Sequence, residues 1–313
     1  MRHTLVHLCW NLLAWLSACS LPTARERDNL IRIDGSSSVF PLTEAITEQY
    51  YQAESSHKVV VGVSGTGGGM RKLLRGEIDI CNASRPMSAA EKAQFAQAGK
   101  SIVELPVAFD GIVVVVHPQN NWTNNIRMSE LQRLWRTESQ AERTRWSDLR
   151  AGWPQKPVVL FGAGQSSGTY DFFTQVVNGR ARSGRGDYAF SENDNILVSG
   201  VAGDVHALGY VGYNYFVENR NKLKALGIIN DFGGEQKAVM PSDSNIAQGR
   251  YQPLSRIQYL YVSKEALQRA SVRDFLRYYN QSVRELKQLP GFIPLNAAQY
   301  DLWLPLLEEV KQP

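Results

Sequence analysis

Short apolar runs and stretches with apolar residues at helical spacing take turns along the N-terminal part of the chain. Residues 30–33 (Leu-Ile-Arg-Ile), 59–63 (Val-Val-Val-Gly-Val) and 78–81 (Ile-Asp-Ile-Cys) have the length and apolar content of strands. Between them, apolar spacing predicts helices from 42 to about Ala53 and over 70–75, the second ending near Gly76. Ser88 with Glu91 three residues on is a capping box for a helix to about Ala98, and Gly99 suits its C-terminal cap. Alternating strand and helix predicts an α/β protein with mostly parallel sheets and helices on both faces.

Residues 103–117 are longer than a usual strand and read as two apolar halves joined at Phe109-Asp-Gly111, so they are expected to carry the chain between lobes. Residues 257–262 are a second candidate crossing. Between the two crossings, a helix begins at 129, and 137–157 is a polar surface excursion, with Trp135, Trp146 and Trp153 expected to fill small local cores. A strand over 157–161, a helix over 170–177, a helix within 191–205, a strand over 208–213 and a helix over 215–225 follow. The basic, glycine-rich segment 179–187 is expected to be a solvated, mobile loop. Beyond the second crossing, Ser263 opens a helix, 272–280 is strongly helical, and 297–310 closes the chain as a helix.

Candidate chemistry lies where strands give way to helices. Phe161-Gly-Ala-Gly-Gln-Ser-Ser-Gly-Thr-Tyr-Asp171 joins a strand to a helix through glycines and hydroxyls. Gly35-Ser-Ser-Ser-Val-Phe-Pro41 and Ser64-Gly-Thr-Gly-Gly-Gly-Met70 repeat the arrangement. A helix N-terminus carries unpaired N–H groups and about half a positive charge, so it favours an anion. Three such starts, with Ser and Thr hydroxyls beside them, are able to converge on one anion.

Composition narrows the class. With 313 residues, 43% hydrophobic and 20% charged, the chain is long enough for two lobes with proper cores. A net charge of +4 with no basic block does not imply nucleic acid. Arg2 and His3 precede an apolar core over 5–16, too short to span a bilayer, and Leu16-Ser-Ala-Cys19 looks like a lipobox. Lipidation at Cys19 is the expectation, with plain secretion after Ala18 as the alternative. Residues 1–18 are then a signal peptide and 19–28 a polar tether. Cys81, in an apolar stretch, is expected to be a buried structural thiol, and the scattered histidines form no visible zinc constellation. No metal and no cofactor are expected. The chain has no Gly-x-Ser-x-Gly elbow and no His–acid pair marked by spacing, so an enzyme reading (phosphatase or serine hydrolase) finds little support.

Taken together, Asp34-Gly-Ser-Ser-Ser-Val-Phe-Pro41, Gly65-Thr-Gly-Gly-Gly69, Ala83-Ser-Arg-Pro86, Asp110-Gly111, Ser167-Gly-Thr-Tyr-Asp171 and residues 193–201 resemble, in order, the periplasmic phosphate-binding proteins (PstS family) of ABC-type phosphate uptake. The resemblance implies a two-lobed periplasmic binding protein fold of type II that hinges shut on its ligand. It places the first lobe at 29–110 plus 256–313 and the second at 111–255. It implies high-affinity capture of inorganic phosphate in the periplasm, delivery to an ABC-type phosphate permease in the inner membrane, membrane contact through a lipid anchor, and a monomer. Carried over by motif, phosphate contacts fall on Ser37, Ser38, the N–H of Val39, Thr66, Ser84, Ser167, Gly168 and Thr169. Two departures stand out. No carboxylate occurs in Ala83-Ser-Arg-Pro86, where members of the family place the acceptor for the proton of hydrogen phosphate. Ala163 stands where many members have an arginine. Arg85 is therefore expected to supply the cation, with a structural ion pair as the alternative, and Asp34, Asp110 or a backbone carbonyl to supply the acceptor. The missing carboxylate keeps a receptor for sulfate or molybdate open, and a lipid-anchored adhesion or signalling protein on the same fold is a further alternative.

Overall fold

The computed structural model describes residues 29–53, 57–233, 236–286 and 289–308. The expected signal peptide, the tether and Cys19 lie outside the described residues. The N-terminal half follows the order β1 (Leu30–Gly35), α1 (Phe40–Ala53), β2 (Lys58–Val61), α2 (Gly65–Arg75), β3 (Ile80–Ala83), α3 (Ala89–Gln97) and β4 (Ile102–Val116). Next come β5 (Asn125–Arg127), α4 (Met128–Trp135), β6 (Val159–Ala163), α5 (Gly168–Asn178), β7 (Ala189–Ser191), α6 (Asp194–Ala202), β8 (Ala207–Gly212), α7 (Tyr213–Glu218), β9 (Lys224–Ala225) and β10 (Gly227–Ile229). The chain then returns through β11 (Ser255–Ser263), α8 (Ala270–Glu285) and β12 (Ile293–Pro294).

The main sheet runs in the order β2-β1-β3-β11-β4-β8-β6-β7, with β12 and β9 also paired to β4. Pairing is parallel within β2-β1-β3 and within β8-β6-β7, and antiparallel wherever β11 or β4 takes part. β4 is one strand serving two halves. It pairs with β11 up to Gly111 and with β8 from Ile112 onward. Its residues from Ile112 to Val116 are fully buried, as suits a strand covered on both faces.

Each half has its own core. One gathers Ile31, Ile33, Leu42, Ile46, Leu105, Phe275 and Trp303; the other gathers Val113, Val115, Trp135, Phe173, Tyr210 and Trp146. Each such aliphatic or aromatic side chain contributes about 1.5–3 kcal/mol when buried, so the two cores hold the halves as a two-lobed α/β fold. Trp135 packs edge-on against Phe173, Tyr188 and Tyr210, and Trp146 meets Trp122 and Trp153, so these indoles are core residues.

Several elements differ from the sequence expectation. α2 begins at Gly65 and not at Met70. Glycine disfavours a helix interior, but α2 lies against β1 and β3 so closely that a Cβ at Gly69 would sit 2.7 Å from Cys81 Sγ and 2.9 Å from Asp34 O. The helix expected over 215–225 ends at Glu218, where Asn219 Nδ2 donates back to Tyr215 O, and β9 then pairs with β4. The helix expected from Ser263 is a short 3-10 turn, Ala266–Gln268, before α8. The closing helix is two short ones, Ala297–Asp301 and Trp303–Glu308. The segment 179–187 is not a solvated loop throughout. Arg185 is buried, donates to Leu134 O and Glu142 O, and pairs with Asp187, while Arg182 pairs with Asp171. Cys81 is buried and free, and burial pushes its thiol up.

Candidate functional site

β1 delivers the chain into a turn of three buried serines before α1. The N–H groups of Val39 and Phe40 both donate to Ser36 O, at 3.3 and 3.1 Å. α5 opens on Ser167, whose Oγ accepts from the Thr169 N–H at 3.0 Å, an N-cap of the ordinary kind. α2 opens on Ser64 without a side-chain cap. Gly65 has φ +73°, and a Cβ there would lie 2.2 Å from Ser166 O, so only glycine fits. Gly67 N–H donates to that same Ser166 O at 3.2 Å. The starts of α2 and α5, from opposite lobes, are thereby in direct contact, and both helices point their positive ends into the seam.

At this seam lies a cation that sequence reasoning did not single out. Arg256, from β11, is buried, with its side chain 1% exposed. Its Nε and Nη2 both reach Asp110 Oδ2, at 2.8 and 2.7 Å. Nη2 also lies 2.9 Å from Thr169 Oγ1 and 3.2 Å from Ser38 Oγ, and those two hydroxyls are 3.2 Å apart. Its second terminal nitrogen, Nη1, is buried without a protein partner among the described residues. Asp110 and Arg256 face each other across the β4–β11 pairing, at the place where β4 passes from one half-sheet to the other. Gln258 Nε2 donates to Ser38 O from the same strand.

A second cluster adjoins the first. Thr66 Oγ1 accepts from the Ser84 N–H at 3.1 Å and lies 3.3 Å from Ser84 Oγ. Gly168 closes over this pair so tightly that a Cβ on it would be 2.3 Å from Thr66 Oγ1 and 2.6 Å from Ser84 Oγ. Because Gly168 and Thr169 are neighbours at the start of α5, the two clusters form one hydroxyl-rich spot. Ser37 Oγ, in turn, donates to Asp194 Oδ2 at 2.8 Å, and Gly212 N–H donates to Asp194 Oδ1 at 3.3 Å. Burial pushes the Asp194 carboxyl above the ordinary aspartate value; the Ser37 and Gly212 donors and the Arg256 charge oppose that, and Asp110 adds to it. Buried donors at helix starts around one buried arginine can hold a small oxyanion.

Residues 22–281 match the PBP superfamily domain. The chain belongs to the PBP superfamily. Over 271 residues it is 42% identical to Protein SphX of Synechococcus elongatus, covering 87% of this chain and 79% of that protein. It is 30% identical over 273 residues to the phosphate-binding protein PstS of Staphylococcus saprophyticus, covering 86% of this chain and 82% of that one. Among solved structures it is similar, with a TM-score of 0.65 and 38% identity, to a possible phosphate binding protein from Planctomyces limnophilus, covering 90% of this chain and 99% of that one.

Within this PBP superfamily chain, the expected contact residues are distributed unevenly. Ser38, Thr66, Ser84, Gly168 and Thr169 are brought together, Ser167 caps α5, Ser37 faces Asp194, and the Val39 N–H is taken up by Ser36 O. Arg85 is placed elsewhere. Its Nε donates to Asp171 Oδ2, its Nη1 to Pro86 O and Glu91 Oε2, and its Nη2 to Glu91 Oε1, each within 2.8–3.0 Å. A guanidinium has five N–H groups, so the Arg85 fork is committed to carboxylates, and the cation beside Ser38 and Thr169 is Arg256. Asp34 pairs with Lys72 and accepts from Ser64. The signal for Arg256 was present in the chain. It is the one charged residue of a crossing strand rich in apolar and aromatic residues, as Asp110 interrupts the other crossing.

Proposed function

We propose that the chain captures inorganic phosphate between its two lobes and delivers it to an ABC-type phosphate permease. The observation that carries this reading is Arg256. It is a buried arginine clamped by Asp110, in contact with Ser38 and Thr169 from opposite lobes, and its Nη1 has no protein partner among the described residues. A tetrahedral oxyanion supplies the acceptors such a nitrogen lacks. Relatives named phosphate-binding protein support phosphate as the anion.

In this reading Ser38, Thr66, Ser84, Gly168 and Thr169 surround the anion with Arg256 as its charge partner, and Arg85 serves to tie the lobes together. The lobes are 29–110 with 256–313, and 111–255, hinged where β4 and β11 cross. Closure supplies a dry enclosure, and uptake needs reversible capture and no bond-making. In the same reading the protein is a lipid-anchored monomer of the periplasm, and the leader-like stretch with Cys19 supports the anchor. Calorimetric titration of the full chain in mild detergent with phosphate tests the reading. The expected result is tight one-to-one binding that Arg256→Gln weakens about 100-fold or more. Absence of phosphate binding to the wild-type chain would contradict it.

A further inference from the structure

A site built only of hydrogen-bond donors holds any tetrahedral dianion. Phosphate at neutral pH carries a P–OH hydrogen and sulfate carries none, so preference for phosphate needs an acceptor that a sulfate oxygen would face lone pair to lone pair. Arg85 is committed to Asp171 and Glu91, and a guanidinium has no acceptor to offer. The hydroxyls of the site are not equivalent, however. Ser38 Oγ and Thr169 Oγ1 each receive an N–H from Arg256 and lie 3.2 Å apart, so one hydroxyl hydrogen bridges the pair and the other is left to point at an anion. Ser37 Oγ has the opposite bias, because it donates its one hydrogen to Asp194 Oδ2 at 2.8 Å, with both residues buried. A serine hydroxyl holds one hydrogen and two lone pairs, so Ser37 has only lone pairs left to offer. Gly212 joins this group to the rest of the site. Its N–H donates to Asp194 Oδ1, and a Cβ on Gly212 would lie 3.4 Å from Ser38 Oγ. Beside this turn, Ser36 Oγ is buried with no partner among the described residues.

We propose that Asp194, acting through Ser37, is the device by which this site distinguishes a protonated oxyanion from a fully ionised one. The Asp194 carboxylate fixes the Ser37 hydrogen toward itself, and the Ser37 oxygen accepts the P–OH. Asp194 is a positioning residue and touches no ligand atom. The inference rests on the phosphate-binding reading above. It also assigns a role to a carboxylate from the second lobe, so the acceptor is completed only when Ser37 and Asp194 meet across the seam.

The test is a pair of calorimetric titrations, with inorganic phosphate and with sulfate, on the full chain in mild detergent at neutral pH. It compares wild type, Asp194→Asn and Ser37→Ala. In Asp194→Asn the side-chain amide can donate to Ser37 and free its hydrogen toward the ligand. The expected result is a phosphate-to-sulfate affinity ratio that falls at least 10-fold in Asp194→Asn, with sulfate binding no weaker than in wild type, and a ratio that also falls in Ser37→Ala. A purely structural role for Asp194 in closure would weaken both anions alike and leave the ratio unchanged, which overturns the proposal. Should Asp194→Asn fail to fold, an unchanged ratio in Ser37→Ala overturns it equally. Wild type binding both anions with equal affinity would refute this inference while leaving an anion receptor standing, whereas wild type binding neither would refute the phosphate reading itself.

Discussion

Arg256 is gripped from behind by Asp110 and, with the lobes together, meets Ser38 and Thr169 in front. Charge-assisted hydrogen bonds contribute about 1.5–3 kcal/mol each. Ser38→Ala and Thr169→Ala should each weaken phosphate binding by about 1–3 kcal/mol in calorimetry, less than Arg256→Gln. Arg85→Gln should cost less than Arg256→Gln; the reverse order would return the anion to Arg85. Asp194 carries a stability consequence of opposite sign. Burial raises its folded value, with Ser37, the Gly212 N–H, Arg256 and Asp110 facing it. A carboxyl raised in the fold binds its proton more tightly there, so its ionised form costs stability above the unfolded value, and that cost is relieved as pH falls through the folded value. Asp194→Asn should therefore melt no lower than wild type at neutral pH, and the difference should shrink on acidification. A large drop in Tm at neutral pH would contradict this.

The elements were more legible than the contacts between them. Hydroxyl- and glycine-rich stretches at 35–38, 64–69 and 164–169, each between an apolar run and a helical pattern, marked three strand-to-helix junctions, although the second forms the first turn of α2 and not a loop. The direction of the Arg85 side chain was not legible, because a tetrapeptide does not reveal where a guanidinium points. Here Glu91, six residues on in the capping box of α3, takes its fork. Burial raises the Glu91 carboxyl, but the Arg85 hydrogen bonds and charge and the Ser88 donors outweigh it and leave it below the ordinary glutamate value. A depressed carboxyl contributes stability above its unfolded value and loses it as pH falls through the folded one. Thermal melts should therefore show wild type losing stability on the acid side of the carboxylate range, with a shallower loss in Glu91→Gln. An identical acid limb in both would argue against the pair. The start of α5 is the most confined element. Gly168→Ala would drive a methyl against Thr66 and Ser84, and should cost phosphate affinity at least as much as Thr169→Ala.

At the scale of the molecule, the lobes touch through buried polar contacts. These include Ser37 to Asp194, Ser38 to Thr169, Gly67 to Ser166, and Arg85 to Asp171, the last reinforced by Arg182. None of these was derivable from sequence, because each joins residues far apart in the chain, and Asp110 with Arg256 is separated by 146 positions. The crossings themselves were legible as apolar runs longer or later than their neighbours required; their mutual pairing was not. Asp171→Asn weakens the tie between lobes without touching the anion, so it should raise the phosphate dissociation rate while leaving the association rate nearly unchanged in stopped-flow measurements. Equal rates in both proteins would mean that this tie does not bear on closure. The most direct test of the whole account is a crystal structure of the protein grown with phosphate. The account requires a phosphate oxygen about 2.7–2.9 Å from Arg256 Nη1, others on Ser38, Thr66 and Thr169, and Arg85 still bound to Glu91 and Asp171. Phosphate lodged on Arg85, or no phosphate between the lobes, would contradict it.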